Sequence, residues 1–160
     1  VVNLVTAMLA SFVISLFNAT IEQMVALAAL MPIVASMGGN AGTQTMTVTV
    51  RALATRDLDR GRVRRLILRE MSGGFLNGCI FAIGGITWRR YMNLGLGLVI
   101  GMAIVINMIA AGTAGILIPL LLNRLKIDPA IASSTFVTTV TDVIGFFAFL
   151  MLAGLWFGLF

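Results

Sequence analysis

The stretch from Pro129 to Phe160 contains a single charged residue, Asp142, among apolar and small polar side chains. An α-helix of about 20 apolar residues crosses a bilayer, so this stretch is long enough to span one. Asp142 would then lie near the middle of the membrane, where a carboxylate costs roughly 2.5–3.5 kcal/mol on insertion scales. Because such a cost is seldom met without a function, Asp142 is the first candidate for a functional site.

Asp142 belongs to a polar stripe on this predicted helix. At about 100° per residue, its neighbours Ser134, Thr138, Thr141 and Gly145 fall with it inside an arc of roughly 100°. Hydroxyl groups and a carboxylate on one side of an apolar helix are typical of a wall that faces water or an ion. The stripe therefore predicts part of an ion or water path.

Composition places the whole chain among membrane proteins. Hydrophobic residues make up 59% and charged residues 11%, whereas soluble domains carry about 25% charged residues. Seven of the eleven Lys and Arg residues lie between Arg51 and Arg69, as expected for a cytoplasmic segment that sets topology, so no nucleic-acid partner is predicted. The absence of histidine excludes His-ligated zinc and Ser-His or Cys-His triads. Because the sequence starts with Val1, inside an apolar run, we expect it to be a fragment of a longer protein.

The apolar runs predict five transmembrane helices, near residues 1–17, 25–50, 71–88, 94–123 and 129–158, in one pore domain covering 1–160. A basic cytoplasmic loop is predicted at 51–70. With five spans, nine Lys and Arg residues lie on one side of the membrane and two on the other. The basic side is expected to be cytoplasmic, which places the C-terminus outside. The predicted fold class is an all-α membrane protein.

A second polar cluster lies in the second predicted helix. On a helical projection, an arc of about 60° contains four polar residues, namely Ser36, Asn40, Thr43 and Thr47. A second set lies on roughly the opposite face and consists of Gly38, Gly42, Thr45 and Thr49. One face is therefore suited to hydrogen bonding and the other to close packing. Gly38-Gly39 could break the helix, and the polar groups could equally serve a tight helix interface. Asn77 and Asn107 are expected to form interhelical hydrogen bonds.

Three segments together resemble the MgtE family of magnesium channels. They are Pro32-x5-Gly38-Gly-Asn-Ala-Gly-Thr-Gln44, Arg51-Ala-Leu-Ala-Thr-Arg-Asp-Leu58 and Thr138-Thr-Val-Thr-Asp-Val-Ile-Gly-Phe146. The resemblance implies a homodimer of five-helix subunits in the inner membrane of a prokaryote, with cytoplasmic sensor domains that are absent from these residues. It also implies a pore between protomers, with Asp142 at a selectivity site for hydrated Mg²⁺. The implied pore-lining residues are Gly39, Asn40, Thr43, Thr47, Ser134, Thr138 and Gly145.

Magnesium chemistry is consistent with a site built on one carboxylate per chain. Mg²⁺ loses its waters reluctantly, so a path that passes the hydrated ion needs outer-shell acceptors rather than a dehydrating cage. Two-fold symmetry would bring a second Asp142 to the same site. The bound and transported ion would be Mg²⁺, and no organic cofactor is expected.

Other functions remain open from the residues alone. A proton- or sodium-coupled secondary cation transporter could use Asp142 in alternating protonated and charged forms. A membrane scaffold could hold Asp142 in a buried hydrogen bond or salt bridge. An enzyme is not expected, because aspartyl proteolysis needs two carboxylates and only Asp142 lies within a predicted span. Membrane lipid is the remaining expected partner.

Overall fold

The chain is all-helical throughout the residues that the computed structural model describes, which are 2–55, 60–87 and 94–159. These residues form six helices: α1 (Val2–Ser15), α2 (Asn18–Gln23), α3 (Ala26–Ala54), α4 (Arg60–Thr87), α5 (Leu94–Arg124) and α6 (Pro129–Phe157). The predicted all-α class is therefore confirmed for the described ranges.

Helix ends agree closely with the sequence at some places and differ at others. The predicted spans 1–17, 94–123 and 129–158 correspond to α1, α5 and α6 within a few residues. Segment 51–70, predicted as a loop, is instead largely helical, because α3 continues to Ala54 and α4 already begins at Arg60. Charged residues mark where a helix leaves an apolar environment, and a helix can continue beyond that point into water. Residues 56–59 of the predicted loop and Trp88 at the end of the third span lie outside the described residues.

Helix α3 is continuous through Pro32 and the Gly38-Gly39 pair, so the break considered at the glycines does not occur. Pro32 lies in the second turn of the helix, where it lacks one backbone N–H donor, and its side chain is exposed. Gly38 is buried and receives the Asn107 side chain of α5. The glycine at this position therefore serves packing between helices and not a bend in α3.

Helix α5 lies at the centre of the bundle and packs against α3, α4 and α6. Small residues allow its backbone to approach its neighbours closely. A methyl group added at Gly78 of α4 would lie 2.8 Å from the carbonyl oxygen of Gly101, and one added at Gly115 would lie 2.8 Å from that of Gly42. Glycine at Gly78 and Gly115 thus permits the contacts of α5 with α4 and α3.

The apolar core and the apolar surface are both extensive. The core joins α3, α5 and α6 through fully buried residues such as Val34, Ile100 and Phe149. Large apolar side chains are also exposed on α1 and α4, among them Phe12 and Phe75. Exposed apolar surface on several helices is what a protein surrounded by lipid presents, because lipid solvates those side chains.

Two described helices are long and apolar enough to cross a membrane by length and composition, namely Leu94–Arg124 and Ala132–Phe157. Helix α1 is apolar but shorter. The five-span topology consequently stays a prediction.

A short capped turn joins the two long apolar helices. Lys126 has a left-handed φ of 60°, and the N–H of Ile127 donates to the carbonyl of Leu122 at 3.0 Å. This pattern ends α5. Asp128 then accepts a hydrogen bond from the Ala130 N–H at 2.8 Å and so caps the first turn of α6. The turn reverses the chain so that α6 packs back along α5.

Candidate ion path

Helix α3 has one open polar face and one packed face of small residues, as its periodicity predicts. On the open side the exposed residues are Ser36, Asn40, Thr43, Gln44 and Thr47. On the other side the buried residues are Gly38, Gly42, Thr45 and Thr49. The two-faced character of the helix is confirmed within a single chain.

The packed side of α3 brings the two polar segments of the sequence together. A methyl group at Gly42 would lie 2.6 Å from Val137 Cγ1 of α6, and one at Gly39 would lie 3.9 Å from Thr141 Oγ1. Asn40 directly follows Gly39 and Asp142 directly follows Thr141. The amide and the carboxylate therefore lie at the same level of the α3–α6 pair.

The predicted α6 residues differ in their accessibility. Ser134 is exposed, and Thr138 and Asp142 are half-buried. Gly39 of α3 is likewise half-buried. Partial burial beside open polar groups is suited to contact with a solvated ion. Within the described ranges there is no group of three or more His, Cys, Asp or Glu residues that could hold a metal ion. Asp142 is the one acidic residue in the sequence of α6.

Several hydroxyl groups on these helices donate to the backbone of their own helix. Thr47 Oγ1 donates to the Thr43 carbonyl at 2.8 Å. Thr138 Oγ1 lies 3.1 Å from the Ser134 carbonyl and 3.0 Å from that of Thr135. A hydroxyl has one proton and two lone pairs, so a hydroxyl whose proton is directed at a carbonyl presents its lone pairs to other donors. Thr47 and Thr138 are thereby prepared to accept hydrogen bonds from water.

An open cavity of about 480 Å³ lies along the polar face of α3. Its lining contains the predicted residues Asn40, Thr43 and Thr47, and also Gln44 and Arg69 that were not predicted. Gln44 belongs to the motif read from the sequence, whereas Arg69 lies on α4 and could be placed only once that helix was known to begin at Arg60. The described lining comes from α3 and α4, so Asp142, Ser134 and Thr138 do not contribute to this cavity.

Gly145 lies behind the open face and not on it. It is buried, and a methyl group added there would lie 2.6 Å from Asn107 Nδ2. Asn107 Nδ2 also donates to the Val34 carbonyl of α3 at 2.8 Å. The interhelical hydrogen bond expected for Asn107 is confirmed, and Gly145 provides space for that amide. The interhelical hydrogen bond expected for Asn77 of α4 is also present, since its Nδ2 donates to Met108 Sδ of α5 at 3.9 Å.

Comparison with known proteins agrees with these features. A family profile described as MgtE, divalent cation transporter, matches residues 31–152. The magnesium transporter MgtE of Thermus thermophilus is 37% identical over 158 residues, which cover 97% of this chain and 35% of that protein. The magnesium transporter MgtE of Bacillus subtilis is 37% identical over 136 residues, or 82% of this chain and 30% of that protein. The magnesium transporter MgtE of Enterococcus faecalis is 39% identical over 137 residues, which cover 81% of this chain and 29% of that protein. The chain spans about a third of the length of these relatives.

Proposed function

The chain belongs to the MgtE family of divalent cation transporters, and we propose that it forms the membrane pore of a channel that passes hydrated Mg²⁺. The observation that carries the proposal is the open polar face of α3 at the level of Asp142 on α6. A carboxylate, an amide and hydroxyl groups at one level provide the acceptors that the water shell of a divalent cation requires.

The proposed pathway holds the ion through its waters. Mg²⁺ keeps an octahedral shell at about 2.0–2.1 Å and dehydrates slowly, so rapid passage requires contacts to its waters and not to the metal itself. Asp142 would provide the negative charge, and Asn40, Thr43, Thr47 and Thr138 would accept hydrogen bonds from those waters. Ser134 and Gly39 would line the same path, with Gly145 supporting it from behind.

The functional unit in this proposal is a homodimer with the pore between two copies of the chain. A single chain leaves the polar side of α3 exposed and supplies one carboxylate at the site. A two-fold axis beside that face would enclose the path and pair the two Asp142 carboxylates against the charge of one Mg²⁺. Each subunit would span the membrane five times, with the basic segments in the cytoplasm and the C-terminus outside.

The experiment that tests the proposal measures Mg²⁺ influx into proteoliposomes with a magnesium-sensitive dye. Asp142→Ala is expected to abolish influx and Asp142→Asn to reduce it strongly, because both remove the charge. Asp128→Asn is the matched control, since Asp128 caps the same helix, and the asparagine retains a side-chain oxygen for that cap. Influx at the wild-type rate with Asp142→Ala would refute the channel. Uptake driven by a proton gradient without a magnesium gradient would instead identify a coupled transporter.

A further inference from the structure

Asn107 occupies a central position in the packing behind the candidate ion path. It is fully buried on α5 and donates from Nδ2 to the Val34 carbonyl of α3. The same side chain fills the space left by Gly38 of α3 and Gly145 of α6. One amide therefore contacts both helices that carry the polar faces.

The two glycines lie close in sequence to the candidate site. Gly38 precedes Asn40 by two residues, and Gly145 follows Asp142 by three, which is about one helical turn. A side chain at either glycine would collide with the Asn107 amide. The Asn107 amide therefore lies between Gly38 of α3 and Gly145 of α6, beside the level at which Gly39 approaches Thr141.

Shape alone does not account for an amide at this position. Asn107 Oδ1 is buried and accepts no hydrogen bond within the part of the chain that the structure describes. An apolar side chain of similar volume would fill the space without this unpaired acceptor. The feature that only a donor can supply is the hydrogen bond to Val34, which fixes the position of α3 relative to α5.

We propose that Asn107 is a positioning residue that sets the α3–α6 separation and thereby the preference of the path for Mg²⁺ over other divalent cations. The inference rests on the proposed function, because it concerns the same site. Asn107 is buried away from the open face and would not contact the ion. Its effect is exerted through the relative positions of Asn40 and Asp142.

The first test measures flux of Mg²⁺ and Ca²⁺ in proteoliposomes with Asn107→Leu, which retains volume but removes the donor. We expect the ratio of Mg²⁺ to Ca²⁺ flux to fall by about fivefold or more, the lower end of coupling between linked sites. Asn77→Leu is the matched control, because Asn77 also packs against α5 but contacts Met108 and not the α3–α6 pair. It should leave the ratio unchanged.

A second test enlarges one side chain of this contact and shortens the opposing one. It applies even if Asn107→Leu does not fold. Gly145→Ala introduces a methyl group 2.6 Å from Asn107 Nδ2 and should lower both the thermal midpoint and the Mg²⁺ to Ca²⁺ ratio. Adding Asn107→Ser shortens the opposing side chain and retains a donor, so the double variant should recover part of the ratio. Adding Asn77→Ser to Gly145→Ala instead should recover none of the Mg²⁺ to Ca²⁺ ratio.

The outcomes separate this inference from the channel proposal. If Asp142→Ala abolishes flux while the Asn107 variants keep the wild-type ratio, the positioning role is refuted and the channel stands. Recovery of stability without recovery of the ratio in the double variant would also refute it, because Asn107 would then serve packing only. Retained flux with Asp142→Ala would refute the channel itself.

Discussion

Gly42 of α3 lies directly against Val137 of α6, so that a methyl group at Gly42 would be 2.6 Å from Val137 Cγ1. Carbon atoms in ordinary contact are about 3.5–4.0 Å apart. This close approach lies on the packed side of α3, directly behind the face that carries Asn40 and Thr43. This close α3–α6 contact therefore supports the polar groups of the candidate path.

Gly42→Ala should destabilise the protein, because Val137 or the helix backbone must move to admit the methyl group. Overpacking of this kind costs about 1–3 kcal/mol. Gly39→Ala is the matched control, one turn away on the same helix, where the new methyl group would lie 3.9 Å from Thr141 Oγ1. Thermal unfolding in detergent should show a lower midpoint for Gly42→Ala only. Equal midpoints for the two variants would show that α3 and α6 are not packed as described.

Thr43→Val should weaken Mg²⁺ transport while leaving the fold intact, because it removes a hydroxyl from the open face. Loss of one hydrogen bond to the ion's waters corresponds to about 0.5–1.5 kcal/mol, or roughly a two- to tenfold rise in the half-saturating Mg²⁺ concentration. Thr49→Val is the control, because it makes the same change of side chain at another position of α3. The Thr49 hydroxyl is buried and donates to the Thr45 carbonyl at 2.8 Å, away from the path. If Thr49→Val raised the half-saturating Mg²⁺ concentration as much as Thr43→Val does, the assignment of the open face would be contradicted.

Helical periodicity predicted the two faces of α3, since the arrangement of residues around one helix depends only on their spacing. An interhelical hydrogen bond was predicted for Asn107, but its partner on α3 was not. The place of Arg69 in the cavity and the burial of Gly145 were not predicted either, because each depends on contact between helices distant in sequence. Arg69 joins the cavity only because α4 begins well before its apolar part. Gly145 shares an arc with Asp142 on a projection, yet it is buried because Asn107 approaches it from α5. A helical projection of α6 alone cannot identify which neighbouring helix covers each part of the arc.

Asn40→Cys in a Cys79→Ala background should allow two chains to be cross-linked by a short bifunctional maleimide. In the proposed homodimer Asn40 of each chain faces the same path, which must be wide enough for a hydrated ion. A direct disulfide should therefore form poorly, because it requires Cα atoms within about 7 Å. Phe75→Cys is the control, since Phe75 is exposed on α4, which packs mainly against α5. Mg²⁺ should slow the reaction at position 40 and not at position 75. Equal cross-linking at both positions, or none at position 40, would count against a path enclosed by two copies of the chain.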